Sequence, residues 1–135
     1  MDQVFLKNPE SIQAADDITT LSYLHEPALL TNLYLRYKKK AIYTFCGNIL
    51  IAINPYQKLS KDMYSHEAIE IYKGVAMGKL NPHVYAIAED CYSSMMREGK
   101  NQSILVSGES GAGKVREHVV FLLLFLLLFV SLLTR

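Results

Sequence analysis

With 135 residues, half of them hydrophobic and a fifth charged, the chain has room for one domain and the composition of a globular protein, not of a disordered segment. A formal net charge of +1 leaves no long-range field to attract nucleic acid or acidic lipid, and the run Lys38, Lys39, Lys40 reads as a solvated turn. The cysteines Cys46 and Cys91 form no CxxC pair, and the N-terminus does not read as a signal peptide. Both thiols are therefore expected reduced, in the core of a cytosolic protein.

Residues 1–18 are polar and read as an extended lead-in. An apolar pattern follows at Leu21, Leu24, Leu29, Leu30 and Leu33. Asp17 or Thr20 offers a helix cap, and Pro27 divides the pattern, standing at the start of a second helical piece. Residues 42–45 and 48–53 are short β-type runs around Cys46-Gly47-Asn48, which predicts a hairpin; Asn54-Pro55 stops its second strand. Ser65 caps a predicted helix over residues 68–73, ended by Gly74. Asn81-Pro82 is expected to open the next helix, with Asn81 as its cap. The apolar face of that helix is Val84, Ile87, Ala88, Cys91 and Met95, and Gly99 ends it. The histidines His25, His66, His83 and His118 are scattered, with no metal-ligand spacing among them.

Residues 103–106 are expected to form a short apolar strand that runs into Gly108, Glu109, Ser110, Gly111, Ala112, Gly113 and Lys114, a match to G-x-x-x-x-G-K. The chemistry of such a loop explains its residue types. Glycines let successive backbone N–H groups turn inward around phosphate oxygens, and the lysine adds a mobile positive charge near the terminal phosphates. The bland alternative is a glycine-rich turn with a surface lysine. The strand that enters the loop and the helix-compatible sequence after it favour phosphate binding. At the eighth position the motif asks for Ser or Thr, whose hydroxyl ligates Mg²⁺; Val115 stands there, with a similar shape and no oxygen. Phosphate cradling survives that change on chemical grounds, and metal-assisted hydrolysis does not.

The stretch NQSILVSGESGAGK, residues 101–114, resembles the strand and phosphate loop of the myosin motor domain family. DDITTLSYLHEPALLTNL (16–33), IYTFCGNILIAINPY (42–56) and NPHVYAIAEDCY (81–92) resemble the family's early helical segment, the strand pair before its adenine-side loop, and the helix before its phosphate loop. The wording is closest to unconventional, cargo-transporting myosins. The resemblance implies an α/β fold: a fragment of a P-loop NTPase motor domain, holding part of a mixed central sheet with flanking helices. It implies ATP as ligand, Mg²⁺ as its metal, actin filaments as partner of the full-length protein, and a cytoplasmic, cytoskeletal location. Asn54, Pro55 and Tyr64 fall where the family contacts adenine, although Ser60 replaces the usual proline and Tyr64 lies slightly further along. Without the resemblance, Asn54-Pro55 is equally a strand-ending turn. The switch segments, actin-binding surface, converter and lever arm of the family have no counterpart in these residues, so the chain is expected to be an incomplete head without motor activity.

Residues 115–135 are expected to be a separate, unrelated hydrophobic tail. Residues 119–133 read VVFLLLFLLLFVSLL. Lys114-Val115-Arg116 can be encoded AAG-GTG-AGA, an exon end followed by a splice donor, and the Phe, Leu, Val and Ser that follow are what pyrimidine-rich intron codons produce. The tail therefore reads as intron translated by read-through. The rival reading is a membrane-associated tail on a small nucleotide-binding or regulatory protein. As a helix the run is about 22 Å long, short of a bilayer core of about 30 Å, so it suits membrane association or aggregation better than spanning.

Overall fold

A computed structural model of the chain describes residue 8 and residues 14–113, and the chain divides into two units, Met1–Pro55 and Tyr56–Arg135.

In the first unit Asp17 organises the entry. Its carboxylate accepts hydrogen bonds from the Thr19 N–H at 2.9 Å, the Thr19 hydroxyl at 2.7 Å and the Gly47 N–H at 3.2 Å. It thereby caps a 3-10 turn, Ile18–Thr20, and ties it to the hairpin. The first of the two expected helical pieces is only this turn. The second is α1, Glu26–Lys38, with Pro27 in its first turn and the His25 ring nitrogen accepting from the Ala28 N–H. Lys40, at φ +62°, takes the left-handed position after α1, and the Ala41 N–H reaches back to the Arg36 carbonyl at 3.0 Å. Lys38, Lys39 and Lys40 are exposed there, as a solvated turn should be.

The hairpin forms where it was expected. Strands β1, Tyr43–Cys46, and β2, Ile49–Ala52, pair antiparallel with Cys46 opposite Ile49, leaving Gly47-Asn48 as a two-residue turn. Gly47 sits at φ +58° at the first turn position, which favours glycine. Cys46 and Cys91 are both free thiols.

The core of this unit joins Ile18, Leu21 and Ala28, with Ala15, Leu29, Leu33 and Ile51 packed against them. The buried stripe of α1, however, is Ala28, Asn32 and Arg36, one residue every turn, while Leu24 and Leu30 of the expected apolar pattern are exposed. The polar members of the stripe are buried because the backbone around them needs partners. Asn32 pairs both ways with Ala15, accepting from its N–H at 2.7 Å and donating to its carbonyl at 3.0 Å. Arg36 donates to the Thr44 hydroxyl, the Tyr43 and Ala14 carbonyls and the Asp16 carboxylate.

Among the described residues the second unit contains a 3-10 turn, Lys61–Tyr64, and two helices, α2, His66–Tyr72, and α3, Val84–Glu98. Ser65 caps α2 as expected, accepting from the Ala68 N–H at 3.2 Å. Helix α3 ends at Gly99, whose φ of +64° lets its N–H close on the Met95 carbonyl. Its start differs from expectation. His83, not Asn81, is the cap, because the His83 Nδ1 accepts from the Tyr85 N–H at 3.1 Å; the Asn81 carbonyl instead accepts from the Tyr72 hydroxyl at 2.9 Å. Val84 and Ala88 of the expected face are buried and Ile87, Cys91 and Met95 half-buried, but Tyr85, Ala86 and Glu89 are buried too. Burial and the neighbouring Asp90 push the Cys91 thiol pKa up.

The sheet is small and shares its unit with helix α1, an arrangement consistent with α/β. Residues 103–107 carry no strand, and Leu105 is 91% exposed. Apolar residues alone do not make a strand; a ladder partner must satisfy the backbone. Among the described residues the one ladder is β1 with β2, and a single parallel bridge joins Asp17 to Phe45.

Candidate functional site

The loop after residue 107 is exposed through Ala112, and Gly113 is half-buried. Gly111 and Gly113 lie at φ +82° and +93°, with Ala112 between them outside the left-handed region. Alternation of this kind turns neighbouring N–H groups toward a common side, the geometry that backbone anion sites use. A tight turn precedes it, closed by the Ala112 N–H on the Glu109 carbonyl at 3.2 Å. A Cβ on Gly113 would meet nothing within 4 Å, and one on Gly111 would stand 3.8 Å from the Tyr56 hydroxyl oxygen, an ordinary contact. Backbone conformation, not crowding, is therefore what demands glycine at both positions. This donor set of backbone amides fits an anion such as a phosphate. Lys114 and Val115 lie outside the described residues, as does the tail, 115–135.

Tyr56 was not anticipated as part of this region. It is 82% exposed, sits at φ +50°, and brings its hydroxyl to Gly111. A left-handed conformation at an aromatic residue is unfavourable and uncommon, and it falls here directly after Asn54-Pro55. No spacing rule would have found it.

The three adenine-side residues fall in different places. Asn54 and Pro55 are half-buried at the end of the first unit, where the Tyr37 hydroxyl donates to the Pro55 carbonyl at 3.4 Å. Tyr64 belongs to the second unit and closes its 3-10 turn. Its ring lies 5.6 Å from that of His83 and 6.4 Å from that of Tyr85. His83 is the hub of this cluster. It stacks on Tyr72 at 5.2 Å and 25°, and meets Tyr85 edge-on at 4.5 Å. Burial lowers the His83 pKa to about 4, against the opposing pull of the Met63 backbone. The same burial, with Tyr64 beside it, raises that of Tyr85. Sequence reading noted His83 only as a scattered histidine; its position just before an apolar helix face was the available clue to a capping role.

The family profile described as "Myosin head (motor domain)" matches residues 15–128. The chain is similar to the Myosin-J heavy chain of Dictyostelium discoideum, with 54% identity over 123 residues, 91% of this chain and 5% of that protein. It is 60% identical over 99 residues to Myosin-5 of Arabidopsis thaliana, 73% of this chain and 6% of that protein. Against unconventional myosin-Vb of Homo sapiens the identity is 52% over 111 residues, 82% of this chain and 6% of that protein. The chain thus spans about one twentieth of the length of the relatives it matches.

Proposed function

We propose, since the chain belongs to the myosin head (motor domain) family, that it is the phosphate-loop portion of an ATP-dependent, actin-based cytoskeletal motor. The observation that carries this reading is the G-x-x-x-x-G-K loop with Gly111 and Gly113 in left-handed conformations. In it, the backbone from Gly108 through Glu109, Ser110, Gly111, Ala112 and Gly113 surrounds the phosphates of ATP, and Lys114 neutralises the outer ones. Asn54, Pro55 and Tyr64 contact the adenine. The family is in general nucleotide- and magnesium-dependent, but the donor set here does not fit the metal: Val115 offers no oxygen where a hydroxyl is required, so no step is assigned to Mg²⁺.

Actin filaments and a cytoplasmic, cytoskeletal setting belong to the whole motor; these 135 residues by themselves bind nucleotide without motor turnover. The unrelated tail begins at Val115, by read-through of an intron. The family match reaches residue 128, so the boundary rests on codon chemistry, and a messenger in which the exon junction follows the Val115 codon would contradict it. The alternative, a membrane-associated nucleotide-binding or regulatory protein, rests on the apolar run of residues 119–133, which lies outside the described residues.

ATP binding by the 135-residue chain tests the loop. Lys114→Ala should weaken it at least about tenfold, as loss of a charge-assisted phosphate contact does. Equal affinity in both chains would remove the loop from the nucleotide site.

A further inference from the structure

We infer that His83 is a positioning residue for the base end of the nucleotide site: it holds Tyr64 in place by joining the Lys61–Tyr64 turn to the start of α3. The inference rests on the reading of Tyr64 as an adenine contact.

A histidine only 6% exposed is costly to bury, and the rings of Tyr64, Tyr72 and Tyr85 surround this one. One ring nitrogen, Nδ1, accepts from the Tyr85 N–H at 3.1 Å and so fixes the first turn of α3. The Met63 backbone, immediately before Tyr64, lies close enough to the ring to favour its charged form. One ring face stacks on Tyr72 at 5.2 Å, and the Tyr72 hydroxyl is itself anchored on the Asn81 carbonyl at 2.9 Å. The Tyr64 ring is 5.6 Å away. Through one imidazole, then, the short turn carrying Tyr64 is joined to α2 and α3. A 3-10 turn of four residues has little rigidity of its own, with a single turn of i→i+3 bonds. The tyrosine at its end is half-buried. A side chain held in this way binds a flat base without first losing rotamer freedom.

The consequence is specific. Disturbing His83 should weaken binding of the base and leave binding of the phosphates unchanged, because the phosphate loop holds those by its own backbone. His83→Asn separates the roles well. Asparagine is a strong cap and can accept from the Tyr85 N–H, but it brings no ring to stack on Tyr72 or to reach Met63. Tyr72→Leu removes the stacked face and leaves the cap in place.

The experiment measures the affinity of the full 135-residue chain, native and substituted, for ATP and for inorganic tripolyphosphate by equilibrium dialysis. The native chain should prefer ATP. His83→Asn should lose about fivefold in ATP affinity, with tripolyphosphate affinity unchanged to within about twofold, and Tyr72→Leu should shift in the same direction. Undiminished ATP affinity in both variants, or equal losses for both ligands, overturns the inference. A native chain that binds tripolyphosphate as tightly as ATP overturns the Tyr64 reading and the inference with it. A native chain that binds neither ligand overturns the phosphate-loop reading as well.

Discussion

Arg36 shows how much one side chain can organise. It is 6% exposed, and its guanidinium donates in three directions: Nε to the Thr44 hydroxyl at 2.8 Å, Nη2 to the Tyr43 carbonyl at 2.8 Å, and Nη1 to the Ala14 carbonyl and the Asp16 carboxylate. The Asp16 side chain is largely in water, so its charge contributes little; the neutral acceptors matter more, because truncation takes a donor from the buried Thr44 hydroxyl and Tyr43 carbonyl. Arg36→Ala should therefore destabilise the chain by about 3 kcal/mol, read from the urea midpoint at constant slope. Arg36→Lys should rescue little of that, since an ammonium is a point donor and cannot span acceptors on three sides. A loss below about 1 kcal/mol would mean that water satisfies these acceptors instead.

Elements were legible where their ends are chemically local. Pro27 in the first turn of α1, Ser65 at the cap of α2 and Gly99 after α3 each act within a few residues of themselves, and each stands where the sequence placed it. So does the Gly47 turn of the hairpin. Apart from the cap of α3, which falls on His83 and not Asn81, the failures are non-local. Arg36 is buried by partners at positions 14, 16, 43 and 44, which no periodicity reveals, and Leu30 is exposed on the same helix. Residues 103–107 have strand composition without a ladder. Of the site, the glycine loop was readable as a pattern, whereas Tyr56 beside Gly111 and the ring cluster around His83 required the fold. That cluster makes the start of α3 pH-sensitive. Burial holds His83 neutral down to about pH 4, while the unfolded chain takes up its proton near the ordinary 6.5. Between those values the unfolded state binds more protons, so stability falls as pH falls, and above 6.5 the group adds no slope. The groups facing the imidazole are the rings of Tyr64, Tyr72 and Tyr85. Stability at pH 5 should be about 2 kcal/mol below that at pH 7, by denaturant unfolding, and His83→Asn should flatten the difference. An unchanged slope in the variant would assign the acid sensitivity to other groups.

At the scale of the whole molecule, holding a nucleotide and breaking it make different demands. One loop suffices to hold phosphate, because backbone amides and a lysine act together within a few residues. Transfer of the terminal phosphoryl group needs more: a positioned water, charge neutralisation on the equatorial oxygens and a metal bridging the outer phosphates, brought from several segments of a fold. These residues span about one twentieth of the relatives' length, and the resemblance assigns the switch segments and the actin surface to the rest of the head. Val115 removes a hydroxyl at the one metal position the loop itself would supply. Catalysis by positioning is not restored by repairing one of its parts. The purified chain should therefore release no phosphate from ATP above background, with or without filamentous actin, while still binding the nucleotide. Val115→Thr should improve magnesium-dependent binding and leave turnover at background. Steady-state phosphate release by native, Val115→Thr and Lys114→Ala chains checks this directly. Release by the native chain that disappears in Lys114→Ala would show that the residues up to 114 hold catalytic groups of their own, and that binding and hydrolysis are not separated here.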